Sequence, residues 1–324
     1  MKLGIVGVSG LVGQTLLRVL EERKVVPREL RVYGNQSVGQ EIIFCENKIK
    51  IEPLRENSFH GLDFVIFTAG KNTSLKWARK AVNYGAIVID NSSAFRLEPD
   101  VPLVVPEVNP HALQNHNGII SNPNCATIQL TVALKPLCDF NITKIVVTSL
   151  QSVTGAGRKG LAQLKSEMRQ EPVTQFAFPH PIACNLIPQI DHFLDNLFTF
   201  EEMKIVNETK KILELTDLNI SATCIRVPTV GAHCQSVYLE FNEPVTASKI
   251  LQKLAESKGI KICDDPFKSN YPMPVNVNGK DEVFIGRIRE AGFENGINIW
   301  VCADNLRKGA ATNAVQILEL VLQD

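Results

Sequence analysis

Three observations predict an α/β protein. Over the first 120 residues short apolar runs alternate with helical patterns; a glycine triplet, Gly7-Val-Ser-Gly10-Leu-Val-Gly13, stands between the first run and the first helix; and after residue 140 the runs lengthen, become β-branched and alternate apolar with polar. Together they define a Rossmann-type dinucleotide-binding domain with a parallel sheet, plus an α+β domain whose sheet is mostly antiparallel. The 324-residue length suits two domains of about 150 residues each.

The elements follow in order. Leu3 to Val6 reads as a strand buried on both faces, and residues 11–23 place Val12, Leu16 and Leu20 on one helical face. Leu30–Tyr33, Asp63–Phe67 and Ala86–Asp90 are further strands, with Leu103–Val105 and Gly118–Ile120 as candidates; a helix from Thr73 to Tyr84 is stopped by Gly85. Later come strands at Lys144–Leu150, Ser221–Val227, Gln235–Phe241, Val283–Ile288 and Ile297–Cys302, helices near 158–169, 201–214 and 247–258, and a closing helix from Asn305 to Leu322. The Pro-rich stretch 265–274 reads as a loop.

Composition narrows the function. Hydrophobic residues at 44% and charged residues at 21% exclude a disordered chain. The 34 Lys+Arg balance 34 Asp+Glu, which argues against an extended nucleic-acid surface. No apolar run approaches the ~18 residues of a membrane span. The eight cysteines form no C-x-x-C pair and no Cys/His spacing of a zinc site, so reduced thiols, no bound metal and a cytoplasmic setting are expected.

The glycine triplet has a physical reading. Gly7 permits the tight turn, Gly10 lets a pyrophosphate reach the N–H groups of the helix N-terminus, and Gly13 lets helix and strand pack closely. A tight βα turn alone would also explain it. An NAD site needs a carboxylate at the end of the second strand for the ribose 2′-OH. Here that strand runs into Gly34-Asn35-Gln36-Ser37, so NADP is expected and NAD less so.

Cys125 ends Ser121-Asn-Pro-Asn124-Cys125 and precedes a helix-forming stretch. At a helix N-terminus the dipole favours a thiolate, and free N–H groups could hold an oxyanion. Such a cysteine is also often structural; a dinucleotide site on the same chain tips it toward thioester chemistry. For a base, His60, His111 and His116 lie in polar loops, His180 between prolines and His192 on a helical stretch. His233 lies between two long strands, where a turn would bring it near Arg226; a solvated hairpin histidine is the alternative.

These segments resemble the aspartate-semialdehyde dehydrogenase family, in its bacterial form, over nearly the whole chain. The resemblance rests on the glycine triplet, Asp90-Asn-Ser-Ser-Ala-Phe-Arg96, Val104-Val-Pro-Glu-Val-Asn109, Ser121–Thr127, Gln151-Ser-Val-Thr-Gly-Ala-Gly157, Glu201-Glu-Met-Lys204, Glu208-Thr-Lys-Lys-Ile212 and Arg226-Val-Pro…His233. It implies reduction of L-aspartyl 4-phosphate in lysine, diaminopimelate, threonine and methionine biosynthesis, and a homodimer. It implies Cys125 as nucleophile, His233 as acid/base and Gln151 as the group orienting substrate at the thiol. Arg226 would grip the substrate carboxylate, Glu201 face its ammonium, and Arg96, Asn124 and Lys204 hold phosphate. Gly7, Ser9, Gly10, Leu11, Val12, Gly13, Ser37, Thr154, Gly155 and Asn305 would contact NADP.

It also implies a cofactor domain of residues 1–124 plus 305–324 and a catalytic and dimerisation domain of 125–304. On helix spacing alone, Glu201 and Lys204 would be an ordinary i,i+3 surface pair. Two departures stand out. The family often has a basic residue where Gln36 stands, and usually a serine where Cys234 follows the histidine. N-acetyl-glutamyl-phosphate reductase shares the fold, but there glycine and an aromatic flank the cysteine, where this chain has Asn124 and Ala126. A non-catalytic dinucleotide-binding redox sensor would have no use for Gln151, Arg226 and His233 together.

Overall fold

The computed structural model describes residues 1–293 and 295–323. The chain divides into two compact units, Met1–Asn124 with Ala310–Asp324, and Cys125–Gly309. The return to the first unit thus falls at Ala310 instead of 305.

The first unit carries β1 (Lys2–Val6), β2 (Glu29–Gly34), β3 (Glu41–Phe44), β4 (Asn47–Lys50), β5 (Glu52–Pro53), β6 (Phe64–Phe67), β7 (Ile87–Asp90) and β8 (Ile119–Ser121). Six of these form one parallel sheet in the order β5-β2-β1-β6-β7-β8. The central strand β6 is apolar and buried at every position from Phe64 to Phe67, and β1 is buried from Leu3 to Val6, as a sheet covered on both faces requires. Helices α1 (Leu11–Glu22) and α2 (Lys71–Asn83) and the C-terminal helix Thr312–Val321 belong to this unit. Leu16, Leu20, Val315 and Leu318 share one core with Leu3 and Ile5, while Trp77 and Ala81 share another with Val65 and Phe67.

Three sequence expectations change here. The β3–β4 hairpin escapes prediction because its turn residues, Cys45 and Glu46, adopt positive φ without being glycine, so the usual Asn-Gly signal is missing. Leu103–Val105 makes only an isolated bridge from Leu103 to Ser121; Pro102 and Pro106 bracket the run and limit its ladder. The closing helix is shorter than expected, because Arg307–Ala311 forms a π-helical turn before Thr312.

The second unit is built on a mixed sheet: β9 (Ile142–Gln151), β10 (Asn219–Arg226), β11 (His233–Phe241), β12 (Ile260–Ile262), β13 (Val283–Glu290) and β14 (Gly296–Ala303), in the order β10-β9-β11-β14-β13-β12. The inner pairs β9/β11, β11/β14 and β13/β14 are antiparallel, and the outer pairs β9/β10 and β12/β13 parallel. Its helices include α3 (Cys125–Leu134), α4 (Gly157–Met168), α5 (Phe200–Leu213) and α6 (Ala247–Ala255). Along β9 the residues Ile145, Val147, Ser149 and Gln151 are buried, whereas Lys144 and Val146 are exposed, so one face is covered. No helix among the described residues is long and apolar enough to cross a membrane.

Candidate active site

Three strand ends bring three of the expected residues into one row. Gln151, the last residue of β9, pairs with Arg226 at the end of β10 on one side and with His233 at the start of β11 on the other. All three are buried. The expected hairpin between Arg226 and His233 is therefore absent: β9 lies between the two strands. Burial alternates along β9 and β10, and His233 falls in phase with the buried Gln235, Val237 and Leu239 of β11, so residues 151, 226 and 233 share the covered face.

Each member of the row is held from behind. The Ser152 backbone N–H donates to His233 Nδ1 at 3.1 Å, and Ser152 Oγ lies 3.3 Å from the same nitrogen. With Nδ1 accepting, the neutral ring carries its proton on Nε2. Arg226 Nη1 donates to the Ser152 carbonyl at 2.7 Å, and its guanidinium lies over the Phe178 ring at 5.5 Å. Gln151 Nε2 donates to Glu201 Oε1 at 3.1 Å, and Glu201 Oε2 pairs with Lys204 at 2.7 Å. Lys204 also pairs with Asp191 at 3.2 Å. The i,i+3 pair is thus tied into the row and half hidden, not a solvated surface pair.

Ser152 is a site residue that the sequence reading passed over, though it sits beside Gln151. Its hydroxyl, together with that of Thr154, donates to Asn305 Oδ1 at 3.2 Å. Gly155 leaves the space in front of the row: a Cβ there would stand 2.6 Å from Arg226 Nη1 and 3.3 Å from His233 Nε2. Arg226 Nε and His233 Nε2 are buried with no hydrogen-bond partner. Each orphaned group costs about 1–3 kcal/mol, so a ligand that meets either atom recovers that cost.

Cys125 begins α3, whose following residues are all buried. Two glutamines pin this helix start to the histidine strand: Gln129 Nε2 donates to the His233 carbonyl at 3.2 Å, and Gln235 Nε2 donates to the Ala126 carbonyl at 2.9 Å. Gly309 keeps the space beside this residue open, since a Cβ at 309 would lie 3.0 Å from Cys125 Cβ. Cys234 points away from the site: it pairs across the sheet with Cys302, the sulfurs 3.2 Å apart. His192 lies outside any helix, after Asp191 with φ +71°, and pairs with Asp191.

Burial, then the nearby charge of Arg226, push the His233 pKa from its ordinary 6.5 down to about 3. Burial likewise lowers Arg226, opposed by Glu201, Cys125 and Cys224. Below the unfolded value of His233 the unfolded chain binds a proton that the native ring refuses, so stability falls as pH drops from about 6.5 toward 3. We expect His233→Gln to flatten this part of the pH–stability profile in denaturant titrations, by several kcal/mol at the acid end.

The first unit holds the remaining residues. Gly7 has φ +92°, and a Cβ there would strike the Ala69 backbone at 2.8 Å; one at Gly13 would strike the Gly7 carbonyl at 2.5 Å. Helix α1, which contains Leu11, Val12 and Gly13, has neither a side-chain cap nor an acid in its first turn, so its start suits an anion. Ser37 Oγ donates to Ser9 Oγ at 2.9 Å, tying the loop after β2 to the glycine loop. A cleft of about 570 Å³ opens over these loops, lined by Gly7, Ser9, Gly10, Asn35 and Gln36 among others. Among the described residues no carboxylate lines it, and its one cation is Lys76 on α2, which sits far from the loop in sequence. Arg96 is buried past the end of β7, donating to the Asn122 carbonyl at 3.0 Å and the Asn91 carbonyl at 2.8 Å. Asn124 is buried as well.

Comparison with known proteins agrees with this architecture. Residues 2–116 match the model for the NAD binding domain of semialdehyde dehydrogenases, and 134–308 the model for their dimerisation domain. The chain is 45% identical to the aspartate-semialdehyde dehydrogenase of Aquifex aeolicus over all of its own length and 98% of that protein, and 42% identical to that of Bacillus subtilis over 98% of this chain and 96% of that one. The crystal structure of aspartate semialdehyde dehydrogenase II from Vibrio cholerae superposes with a TM-score of 0.95 at 41% identity, covering 100% of this chain and 98% of that one; a second structure of that enzyme is a complex with ASA. The chain belongs to the aspartate-semialdehyde dehydrogenase family.

Proposed function

We propose that the chain reduces L-aspartyl 4-phosphate to L-aspartate 4-semialdehyde and phosphate, through a thioester on Cys125. The observation that carries this is the row of Arg226, Gln151 and His233, in which Arg226 Nε and His233 Nε2 are buried without a partner, on the unit that also presents Cys125 at a helix start. The identities above and the ASA complex of the Vibrio cholerae enzyme support the substrate.

The residues divide the work by charge. Arg226 offers a planar fork to the α-carboxylate, and Glu201 an anion to the ammonium. Lys204 takes the phosphate role on the second unit, Arg96 and Asn124 on the first. The Cys125 thiolate attacks the acyl carbon, the N-terminal N–H groups of α3 stabilise the oxyanion, and phosphate leaves. Bound NADPH supplies the hydride. The Cys125 thiohemiacetal oxyanion then collapses to the aldehyde and expels the thiolate, while the Nε2–H of His233 is hydrogen-bonded to that oxygen, lending its proton as charge develops and keeping it on collapse. Its low pKa keeps the ring neutral, with its proton on Nε2 as a donor to the developing negative charge.

Residues Gly7, Ser9–Gly13 and Ser37, with Thr154, Gly155 and Asn305, are assigned to NADP. The acid-free cleft supports NADP over NAD, and Lys76 supplies the cation that Gln36 does not. We expect Lys76→Ala to weaken NADPH by about tenfold, the size of one charge-assisted contact, with NADH binding unchanged in fluorescence titrations. A homodimer through the second unit is proposed from the dimerisation-domain match. Eight free cysteines suit a reducing cytoplasm, and the product would feed lysine, diaminopimelate, threonine and methionine synthesis.

The test is an assay of the purified protein with aspartate semialdehyde, phosphate and NADP. Phosphate-dependent NADPH formation is expected. A preference for N-acetyl-glutamate semialdehyde, or no turnover with either, would overturn the reading.

A further inference from the structure

We infer that Glu202, which no part of the mechanism above uses, is a positioning residue that sets the carboxylate grip of Arg226. The inference rests on the assignment of Arg226 to the substrate carboxylate.

The geometry comes from an edge strand. β10 ends the sheet and pairs with β9 alone, so the backbone groups on its outer side need other partners. They are met at two positions. Ile187 and Arg226 exchange backbone hydrogen bonds of 3.0 and 2.8 Å. Two residues earlier, the Cys224 N–H donates to Glu202 Oε1 at 2.9 Å. The other oxygen of this buried carboxylate accepts the Thr199 N–H at 2.7 Å, and Thr199 Oγ1 in turn accepts the Glu202 N–H. Glu202 therefore closes the capping box of α5 and clamps the same helix turn onto β10.

That turn carries Glu201 and Lys204, and the strand carries Arg226. One carboxylate thus fixes the spacing between the groups assigned to ammonium and phosphate and the group assigned to the α-carboxylate. Both acceptors are backbone-bound, so a glutamine at 202 would point its amide N–H₂ at one of two N–H donors and must release it. Release at Cys224 loosens β10 two residues before the guanidinium.

The experiment compares two aldehydes, aspartate semialdehyde and β-aminopropionaldehyde, which lacks the carboxylate. For Glu202→Gln, KM for aspartate semialdehyde should rise about tenfold, as expected for one displaced charged contact. Its kcat should hold, and kcat/KM for the decarboxy analogue should stay within about twofold of wild type. The preference for the carboxylate-bearing substrate then falls about tenfold. Thr199→Ala, which removes the cap hydroxyl but leaves the Cys224 bond, should lower Tm without moving that preference. If Glu202→Gln does not fold, Glu202→Asp, too short to span both donors, gives the same readout. Equal losses on both aldehydes, or an unchanged preference, would overturn the inference. Arg226→Lys run in parallel separates the two readings: a preference it fails to reduce would refute the Arg226 assignment itself.

Discussion

Cys125→Ala is expected to lower kcat by about 10⁴-fold or more, because without the sulfur no thioester forms and the reaction loses its covalent route. The substitution is small and local. Gly309 leaves room beside the Cβ of residue 125, and Ala keeps that atom. The two glutamine bonds that pin α3 run to backbone carbonyls at 126 and 233, so they survive too. Fold and NADPH affinity should therefore be unchanged, as read by Tm and fluorescence titration. Retained turnover in this variant would remove the nucleophile from the mechanism.

Arg226→Lys is the second large effect, about 10² in kcat/KM, the order seen when one member of a buried charge pair loses its geometry. Charge is conserved, so the loss reports shape. The guanidinium spends Nη1 on the Ser152 carbonyl and still presents Nε without a partner. A lysine ammonium, one point on a flexible stem, cannot serve the carbonyl and also make a bidentate bond to a carboxylate. Ser152 also orients His233, so kcat should fall alongside the rise in KM. Steady-state kinetics with aspartate semialdehyde would show it; a KM within twofold of wild type, about 0.4 kcal/mol, would count against the role.

Much of this was legible in the chain because it is local. The run Leu3–Val6, the glycines and the α1 face sit within about twenty residues, and each answers to a single period or turn rule. Cys125 at the start of α3 is local in the same sense. The row of Gln151, Arg226 and His233 is not. Its members come from three strands, and the turn that the sequence suggests between Arg226 and His233 is not what joins them: β9 from far upstream lies between their strands. Strand order is a property of the whole sheet that no window of sequence contains. The same holds for Lys76, which enters the cofactor cleft from α2, and for Glu202, whose role depends on which strand lies at the sheet edge. Motif resemblance names the row's members, and the sheet is what brings them together.

One measurement reaches the central claim most directly. The protein is mixed with aspartate semialdehyde and NADP in the absence of phosphate, quenched in acid, digested and analysed by mass spectrometry. Without phosphate to release it, the acyl group should stay on the enzyme. The account predicts an aspartyl adduct on the peptide bearing Cys125, matched by a burst of NADPH no larger than the number of active sites, and discharged when phosphate is added. An adduct on another cysteine, or full turnover with no adduct at all, would contradict it.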